Sequence, residues 1–292
     1  MGFGMHINLK KRVKEMFSKH ENLKGKVIVI TGGSGVLCRT IAKALAKQDM
    51  KIAILNRTFE KGAQIVKEIE QEGGTANNYS ADVTSEEDLV KAKEAILTDY
   101  GQIDYLINGA GGNHPDAITE GEAYDSKDKK NFFSLEKSGF EQVFNNNFIG
   151  SFVAAKVFGE ELLKSEHAGI INFSSMSAYS PMTKVPAYSA AKAAINNFTQ
   201  WLAVYFAEED IRVNAIAPGF FLTEQNKDLL LNEDGSLTER SNKIISQTPL
   251  GEFGEPEALI GTTLWLLDKE YSSFVNGITV PVDGGFMAYS GV

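Results

Sequence analysis

The stretch Pro186-Ala-Tyr-Ser-Ala-Ala-Lys-Ala-Ala-Ile195 sets Tyr188 and Lys192 four residues apart. On a helix that spacing places both on one face. An ammonium beside a phenol favours the phenolate and draws the tyrosine below its usual pKa of about 10. Such a tyrosine can give or take a proton near neutral pH, which is general acid–base chemistry. Ser175 lies thirteen residues before Tyr188 at the end of an apolar run, where its hydroxyl can enter the same space. Asn147 falls on the apolar stripe Phe140, Val143, Phe144, Asn147, Phe148, with Asn145 and Asn146 facing outward. An interior amide needs hydrogen-bond partners. Taken singly, each residue has a plainer reading: the Tyr/Lys pair as a solvated helix face, Asn147 as a structural amide.

These side chains need elements to position them. Short apolar runs alternate with longer helical patterns, and the expected strands are Lys26–Thr31, Lys51–Asn56, Thr75–Ala81, Ile103–Asn108, Gly169–Ser174, Arg212–Ala217 and Ile278–Val282. Several are apolar almost throughout, which calls for cover on both faces and hence a parallel sheet between helix layers. Thr84-Ser-Glu-Glu87 reads as a capping box that opens a helix on Leu89, Ala92, Ile96 and Tyr100, with Gly101 ending it. The expected fold is α/β: a single Rossmann-like domain, doubly wound, with ligands at the C-terminal ends of the strands. The expected division is an N-terminal extension, 1–24, and the Rossmann-like domain, 25–292, with long loops near 111–138 and 222–252. Within the extension, Val13–Phe17 could pack on a neighbour, although a frayed terminus is the plainer reading.

The first expected strand runs into Thr31-Gly-Gly-Ser-Gly-Val-Leu-Cys38 and then a helix. Glycines there let backbone approach a pyrophosphate, and the helix N-terminus supplies free N–H groups, so Gly32, Ser34, Gly35, Val36 and Leu37 are candidate phosphate contacts. The second strand ends in Leu55-Asn56-Arg57-Thr58. In Rossmann folds an acid at this point holds the adenosine 2′-hydroxyl of NAD, and a nearby arginine accommodates a 2′-phosphate. Asn56 in place of the acid, with Arg57 next, gives an expected preference for NADP(H), with NAD(H) as the alternative and a solvent-directed Arg57 as the plain reading.

The net charge of −9 over 292 residues disfavours nucleic acid or an anionic membrane surface as the main partner. A single cysteine, Cys38, excludes an intramolecular disulfide. The histidines His6, His20, His114 and His167 are scattered and lack metal-ligand spacing. No apolar run is long enough to span a bilayer, and a cytoplasmic location is expected.

Asn147, Ser175, Tyr188 and Lys192 together resemble the Asn–Ser–Tyr–Lys tetrad of the short-chain dehydrogenase/reductase superfamily. Supporting motifs occur in that family's order: Thr31-Gly32, Asp82-Val83, Asn108-Gly-Ala-Gly111, and Pro218-Gly219 through Phe221 to Thr223. The resemblance covers roughly Gly25 to the C-terminus. It implies that Tyr188 exchanges a proton with the substrate oxygen, which Ser175 also hydrogen-bonds. Lys192 lowers the tyrosine pKa and holds the nicotinamide ribose, and Asn147 positions a water. It implies further that Asp82 and Val83 flank the adenine and that Asn108, Ala110 and Gly111 pass the ribose. Thr223 would hold the carboxamide, with Pro218, Gly219 and Phe221 on the same wall. A homo-oligomer, a tetramer, is implied in the same way. Two departures stand out: Val36 and Cys38 replace usual glycines, with Gly35 one place early, and Gly109 replaces the second asparagine of the Asn-Asn-Ala-Gly run.

Within the superfamily the strings at 109–115, 218–226, 229–240 and 282–292 resemble the D-mannonate oxidoreductase (D-fructuronate reductase) group. The resemblance implies a sugar-acid substrate, for which Asn113, His114, Lys184, Gln225 and Asn226 are candidate donors; each taken alone reads as a polar loop residue. Alternatives are another polyol or keto acid, such as the gluconate/5-ketogluconate couple, and a cofactor-binding sensor or scaffold without turnover.

Overall fold

The structure, a computed structural model, describes residues 20–224 and 226–291. Val13–Phe17 of the N-terminal extension lies outside them. Seven strands form one parallel sheet: β1 (Val27–Thr31), β2 (Lys51–Asn56), β3 (Thr75–Ser80), β4 (Tyr105–Asn108), β5 (Ala168–Phe173), β6 (Ile211–Pro218) and β7 (Thr279–Val282). Their order is β3-β2-β1-β4-β5-β6-β7. Each coincides with an expected strand to within one residue at either end, except that β4 starts two residues later, at Tyr105 rather than Ile103.

Alternate residues of each central strand serve different layers, as a two-residue side-chain period requires. Ile28 and Ile30 of β1 face the layer of α1 (Val36–Ala46), α2 (Phe59–Gln71) and α9 (Ala258–Leu267). Val27 and Val29 face α3 (Glu86–Tyr100), α5 (Gly150–Leu162) and α6 (Pro186–Tyr205). These four side chains are fully buried, each contributing about 1.5–3 kcal/mol of apolar transfer. Both faces are covered, which is why these strands read as continuous apolar runs.

Helix α3 opens one residue later than expected. Ser85 is its N-cap and accepts from Asp88 N at 3.2 Å. The Thr84 hydroxyl instead donates to Asp82 Oδ1 at 2.7 Å. Two overlapping cap patterns, Thr84 to Glu87 and Ser85 to Asp88, compete, and the Asp82–Thr84 bond takes the threonine out of the contest. The expected C-terminus holds, with Gly101 at φ 80°.

Before β1, Glu21–Leu23 form one 3-10 turn and Leu23 is fully buried. The His20 imidazole meets Asp268 Oδ2 at 2.6 Å. The packed unit therefore includes His20–Lys24, ahead of the expected start at Gly25. The two long loops also carry structure. The first holds 3-10 turns at Pro115–Ala117 and Phe132–Ser134 and leads into α4 (Lys137–Phe144). The second holds α7 (Lys227–Leu230) and α8 (Glu239–Ser246). Lys243 Nζ bonds Glu122 Oε2 at 2.9 Å and ties one loop to the other. The last short helix, α10 (Lys269–Ser272), follows α9.

Candidate active site

The C-terminal ends of β1, β2 and β4 lie level, with Thr31 paired to Leu55 on one side and Asn108 on the other. The chain leaves β1 through Gly32 at φ 64°, where a Cβ would lie 2.8 Å from Ala110 Cα. Both the backbone turn and the close approach of the β4 loop thus require glycine. Thr31 Oγ1 accepts from Gly109 N at 3.1 Å and Ala110 N at 3.3 Å, fastening the two loops together. Gly35 is the N-cap of α1 and gives it no side-chain cap. The first-turn N–H groups therefore remain available at the positive end of the helix dipole, a setting that suits an anion such as a pyrophosphate.

A cavity of about 350 Å³ opens on one side of this turn, lined by Ser34, Gly35, Asn56, Arg57, Thr58, Lys61, Asp82, Val83, Ala110, Gly111 and Asn146. The Asn56 amide donates to Thr58 O at 2.7 Å. Its Oδ1 is buried without a hydrogen-bond partner among the described residues. Arg57 is 69% exposed, and its guanidinium stands 3.9 Å from Asp82 Oδ2. Burial pushes the Asp82 carboxyl up, but two hydrogen bonds from Thr84 and the Arg57 charge outweigh it and hold the pKa below the usual value. Asn108 does not face this cavity. Its amide donates to Asn172 Oδ1 at 2.9 Å, inside the layer of α5 and α6, so its side chain braces the β4 loop from behind.

A second cavity of about 350 Å³ shares Gly32, Gly35, Gly109 and Gly111 with the first and is lined also by Val36, Leu37, Cys38, Gly112, Asn147, Phe173, Ser174, Ser175, Tyr188, Lys192, Pro218 and Gly219. The four residues expected to act together therefore border one space. Ser175 follows β5, and its Oγ accepts from Ser177 N at 3.2 Å. Tyr188 lies in the first turn of α6, and its ring packs with Phe140, Val143 and Ala187. Lys192 is 4% exposed; its Nζ donates to Phe173 O at 2.7 Å and stands 5.5 Å from the Tyr188 ring centroid.

The expected lowering of the tyrosine pKa does not occur in this arrangement. Burial pushes the Tyr188 hydroxyl up, against the weaker opposing effect of the Ser175 hydroxyl beside it. Lys192 spends its short hydrogen bond on the Phe173 carbonyl and makes none to the tyrosine among the described residues. Burial draws Lys192 itself down to about 8, opposed by the neighbouring Cys38.

Asn147 is fully buried in a single π-turn, Asn145–Ile149, between α4 and α5. Its amide donates to Gly112 O at 2.7 Å and Val143 O at 2.8 Å, and its Oδ1 accepts from Gly112 N at 3.2 Å. The side chain clamps the β4 loop. The wider turn also brings Asn146 to the first cavity, contrary to the outward position that a regular helix assigns it.

A third cavity of about 250 Å³ adjoins the second through Val36, Leu37 and Gly219 and is lined by Phe220, Phe221, Thr223 and Asn226. Asn226 spends its amide on Phe221 O and accepts from Thr223 N, both at 2.8 Å. These bonds shape the loop and take one of the two N–H donors of the amide. Gln225 lies outside the described residues. Asn113 is exposed. His114 caps the Pro115–Ala117 turn, accepting from Asp116 N at 3.3 Å. Lys184 precedes α6 at φ 69°, and its carbonyl accepts from Thr119 N at 3.0 Å. Neither His114 nor Lys184 lines the three cavities. Lys61, Thr58 and Ser174, which do line them, escape sequence reasoning; only Lys61, one helical turn beyond Arg57, carried a usable signal.

The sequence profile described as "short chain dehydrogenase" matches residues 26–234. The chain belongs to the short-chain dehydrogenase family. A Bacillus subtilis (strain 168) relative, "Uncharacterized oxidoreductase UxuB", is 64% identical over 278 residues, 95% of this chain and 100% of the relative. A crystal structure of "a putative D-Mannonate oxidoreductase from Haemophilus influenza" with bound NAD matches at TM-score 0.90 and 50% identity, covering 94% of this chain and 100% of that one. A 2-dehydro-3-deoxy-D-gluconate 5-dehydrogenase of Dickeya dadantii (strain 3937) is 30% identical over 91% of this chain and 97% of its own. This dehydrogenase is an NAD(P)-dependent oxidoreductase. The NAD in the related crystal structure gives no support to the expected NADP(H) preference. Among the described residues of the dehydrogenase, no helix is long and apolar enough to cross a membrane.

Proposed function

We propose that this dehydrogenase interconverts the carbonyl and alcohol forms of a sugar acid, D-fructuronate and D-mannonate, with NAD(H). The observation that carries the chemical class is the placement of Ser175, Tyr188 and Lys192 on one cavity that shares its wall with the glycine turn. A bound nicotinamide dinucleotide supplies or accepts the hydride. The first-turn N–H groups of α1, with Gly32, Ser34, Val36 and Leu37, hold its pyrophosphate; Asp82, Val83 and Ala110 border the adenosine. Thr223, Phe221, Pro218 and Gly219 form the far wall.

Tyr188, whose buried hydroxyl keeps its proton, gives that proton to the substrate oxygen as negative charge builds there. Ser175 donates to the same oxygen and stabilises that charge. Lys192, whose Nζ stands 5.5 Å from the Tyr188 ring centroid, is the nearby cation that favours return of the tyrosine to its starting state, and Asn147 fixes the loop that carries Gly111 and Gly112 past it. The sugar-acid assignment is supported by the relative crystallised with NAD and by the gluconate-type relative. NAD(H) is favoured because Arg57 is turned toward Asp82 and the relative carries NAD.

The test is a spectrophotometric panel of hexuronates and aldonates with NAD(H) and NADP(H). D-Fructuronate reduction with NADH is expected to give the highest kcat/KM. Equal turnover of uncharged ketoses, or none of fructuronate, overturns the substrate. We also propose a homo-tetramer, joined in part through the exposed Trp201, Val204 and Tyr205 of the α6 segment; sedimentation of a monomer would refute it.

A further inference from the structure

The two departures from the family pattern meet in one contact. Cys38 sits in the first turns of α1 and is 4% exposed. Gly109 follows β4. A Cβ on Gly109 would lie 2.2 Å from Cys38 Sγ and 2.9 Å from Thr31 O. Gly109 does not have a positive φ, so backbone conformation does not demand glycine here. Lack of space does, and most of that space is taken by a single sulfur atom.

We infer that Cys38 and Gly109 are an exchanged pair, in which the thiol occupies the volume of the missing side chain and sets the separation of the glycine turn from the β4 loop. Cys38 is then a positioning residue for the dinucleotide, an inference that rests on the cofactor reading of these cavities. The contact is placed to matter. Thr31 Oγ1 already holds Gly109 N and Ala110 N, and a Cβ on Gly32 would come within 2.8 Å of Ala110. The two loops therefore touch along their length, and a shift of Gly109 carries Ala110 and Gly111 with it. A Cβ on Gly111 would lie 2.4 Å from Asn147 Oδ1 and 3.4 Å from Lys192 Nζ. The wedge at Cys38 thus supports both the phosphate end and the tetrad end of the site. Burial pushes the Cys38 thiol up to about 12, so it stays protonated and its contribution is bulk, not thiolate reactivity.

The test is a double-mutant cycle on the full chain: wild type, Cys38→Gly, Gly109→Ala and the combination, with Cys38→Ser as the near-isosteric control. Three readouts are taken: NADH affinity by fluorescence titration, the KM of dinucleotide against that of substrate, and Tm. Overpacking this contact forces the β4 loop away from the glycine turn, so Gly109→Ala should weaken NADH binding by roughly tenfold. Removing the sulfur in the same chain should recover most of that loss, leaving the 2.9 Å approach to Thr31 O as the residue of the clash. The dinucleotide KM should move more than the substrate KM, and Cys38→Ser should bind within about threefold of wild type. If Gly109→Ala alone does not fold, a folded, NADH-binding double variant is the same supporting result. A double variant no better than Gly109→Ala, or strict additivity in both Kd and Tm, overturns the pair. A wild type that binds no dinucleotide would instead overturn the cofactor reading, while coupling in Tm would still report on the pair.

Discussion

Replacing Tyr188 by phenylalanine removes one oxygen and leaves the ring. The ring contacts with Phe140, Val143 and Ala187 persist, as does the approach of Lys192 Nζ to the ring at 5.5 Å. The hydroxyl beside Ser175 is lost, and stability should change by no more than about 1 kcal/mol. A positioned proton donor contributes about 10²–10⁴ in rate, or roughly 3–5 kcal/mol of barrier at 1.36 kcal/mol per decade. The expected protein is therefore folded, binds NADH within about threefold of wild type and has lost at least about 99% of kcat. NADH fluorescence titration, thermal unfolding and steady-state turnover on one preparation separate these outcomes. Near-normal kcat in a folded, NADH-binding Tyr188→Phe protein would refute the proton-donor role.

Lys192 offers a test against pH. Its pKa is drawn down to about 8, against about 10.4 in the unfolded chain. Between those values the unfolded state binds more protons, so stability should rise with pH across that window and be lowest below pH 8. Lys192→Met should abolish the rise and be more stable at pH 7 by about 2 kcal/mol, after allowing about 1 kcal/mol for the lost bond to Phe173 O, while losing turnover; denaturant titrations at pH 7 and 10 measure it, and a less stable variant at both would contradict the assignment. Asn147→Ala leaves Gly112 without its clamp and should cost about 2–3 kcal/mol of stability together with kcat; unchanged urea midpoints would show the clamp to be idle. Arg57→Ala should leave kcat/KM for NAD within about threefold and reduce any residual NADP activity by about tenfold; an equal loss with both cofactors would place Arg57 elsewhere than at the 2′ position.

The sheet was legible because its strands are buried on both faces, and a run such as Val27-Ile-Val-Ile-Thr31 has no other stable placement. The tetrad was legible for a different reason: residues far apart in sequence stand at the ends of elements whose order the sequence displays. What stayed hidden depends on local competition. Thr84 and Ser85 both satisfy a cap pattern, and only the tertiary position of Asp82 decides between them. Asn146 was placed outward because a regular helix was assumed, and one π-turn rotates it to the cavity. The tyrosine–lysine spacing was right, yet the expected pKa shift was not, since spacing fixes a shared face but not which oxygen the ammonium chooses. The bonds that Asn226 makes to its own loop through both ends of the amide were equally out of reach of the sequence.

The borders of the sheet have a bearing on how this protein survives at high concentration. Exposed strand edges invite strands from other chains, a route to aggregation. At one border β7 turns the carbonyls of Ile278 and Val282 to β6, where they accept from Ala215 N and Gly219 N at 2.8 and 2.9 Å. Alternation along a strand then directs residues 279 and 281 outward, and residue 281 is a proline with no N–H to offer. At the other border β3 is Thr-Ala-Asn-Asn-Tyr-Ser, with the Asn77 amide held by Asp99 at 3.0 Å. Asparagine-rich, half-solvated strands pair poorly with apolar segments. One edge is blunted by a missing donor and the other by polarity, and both features disfavour pairing with a strand from a neighbouring chain.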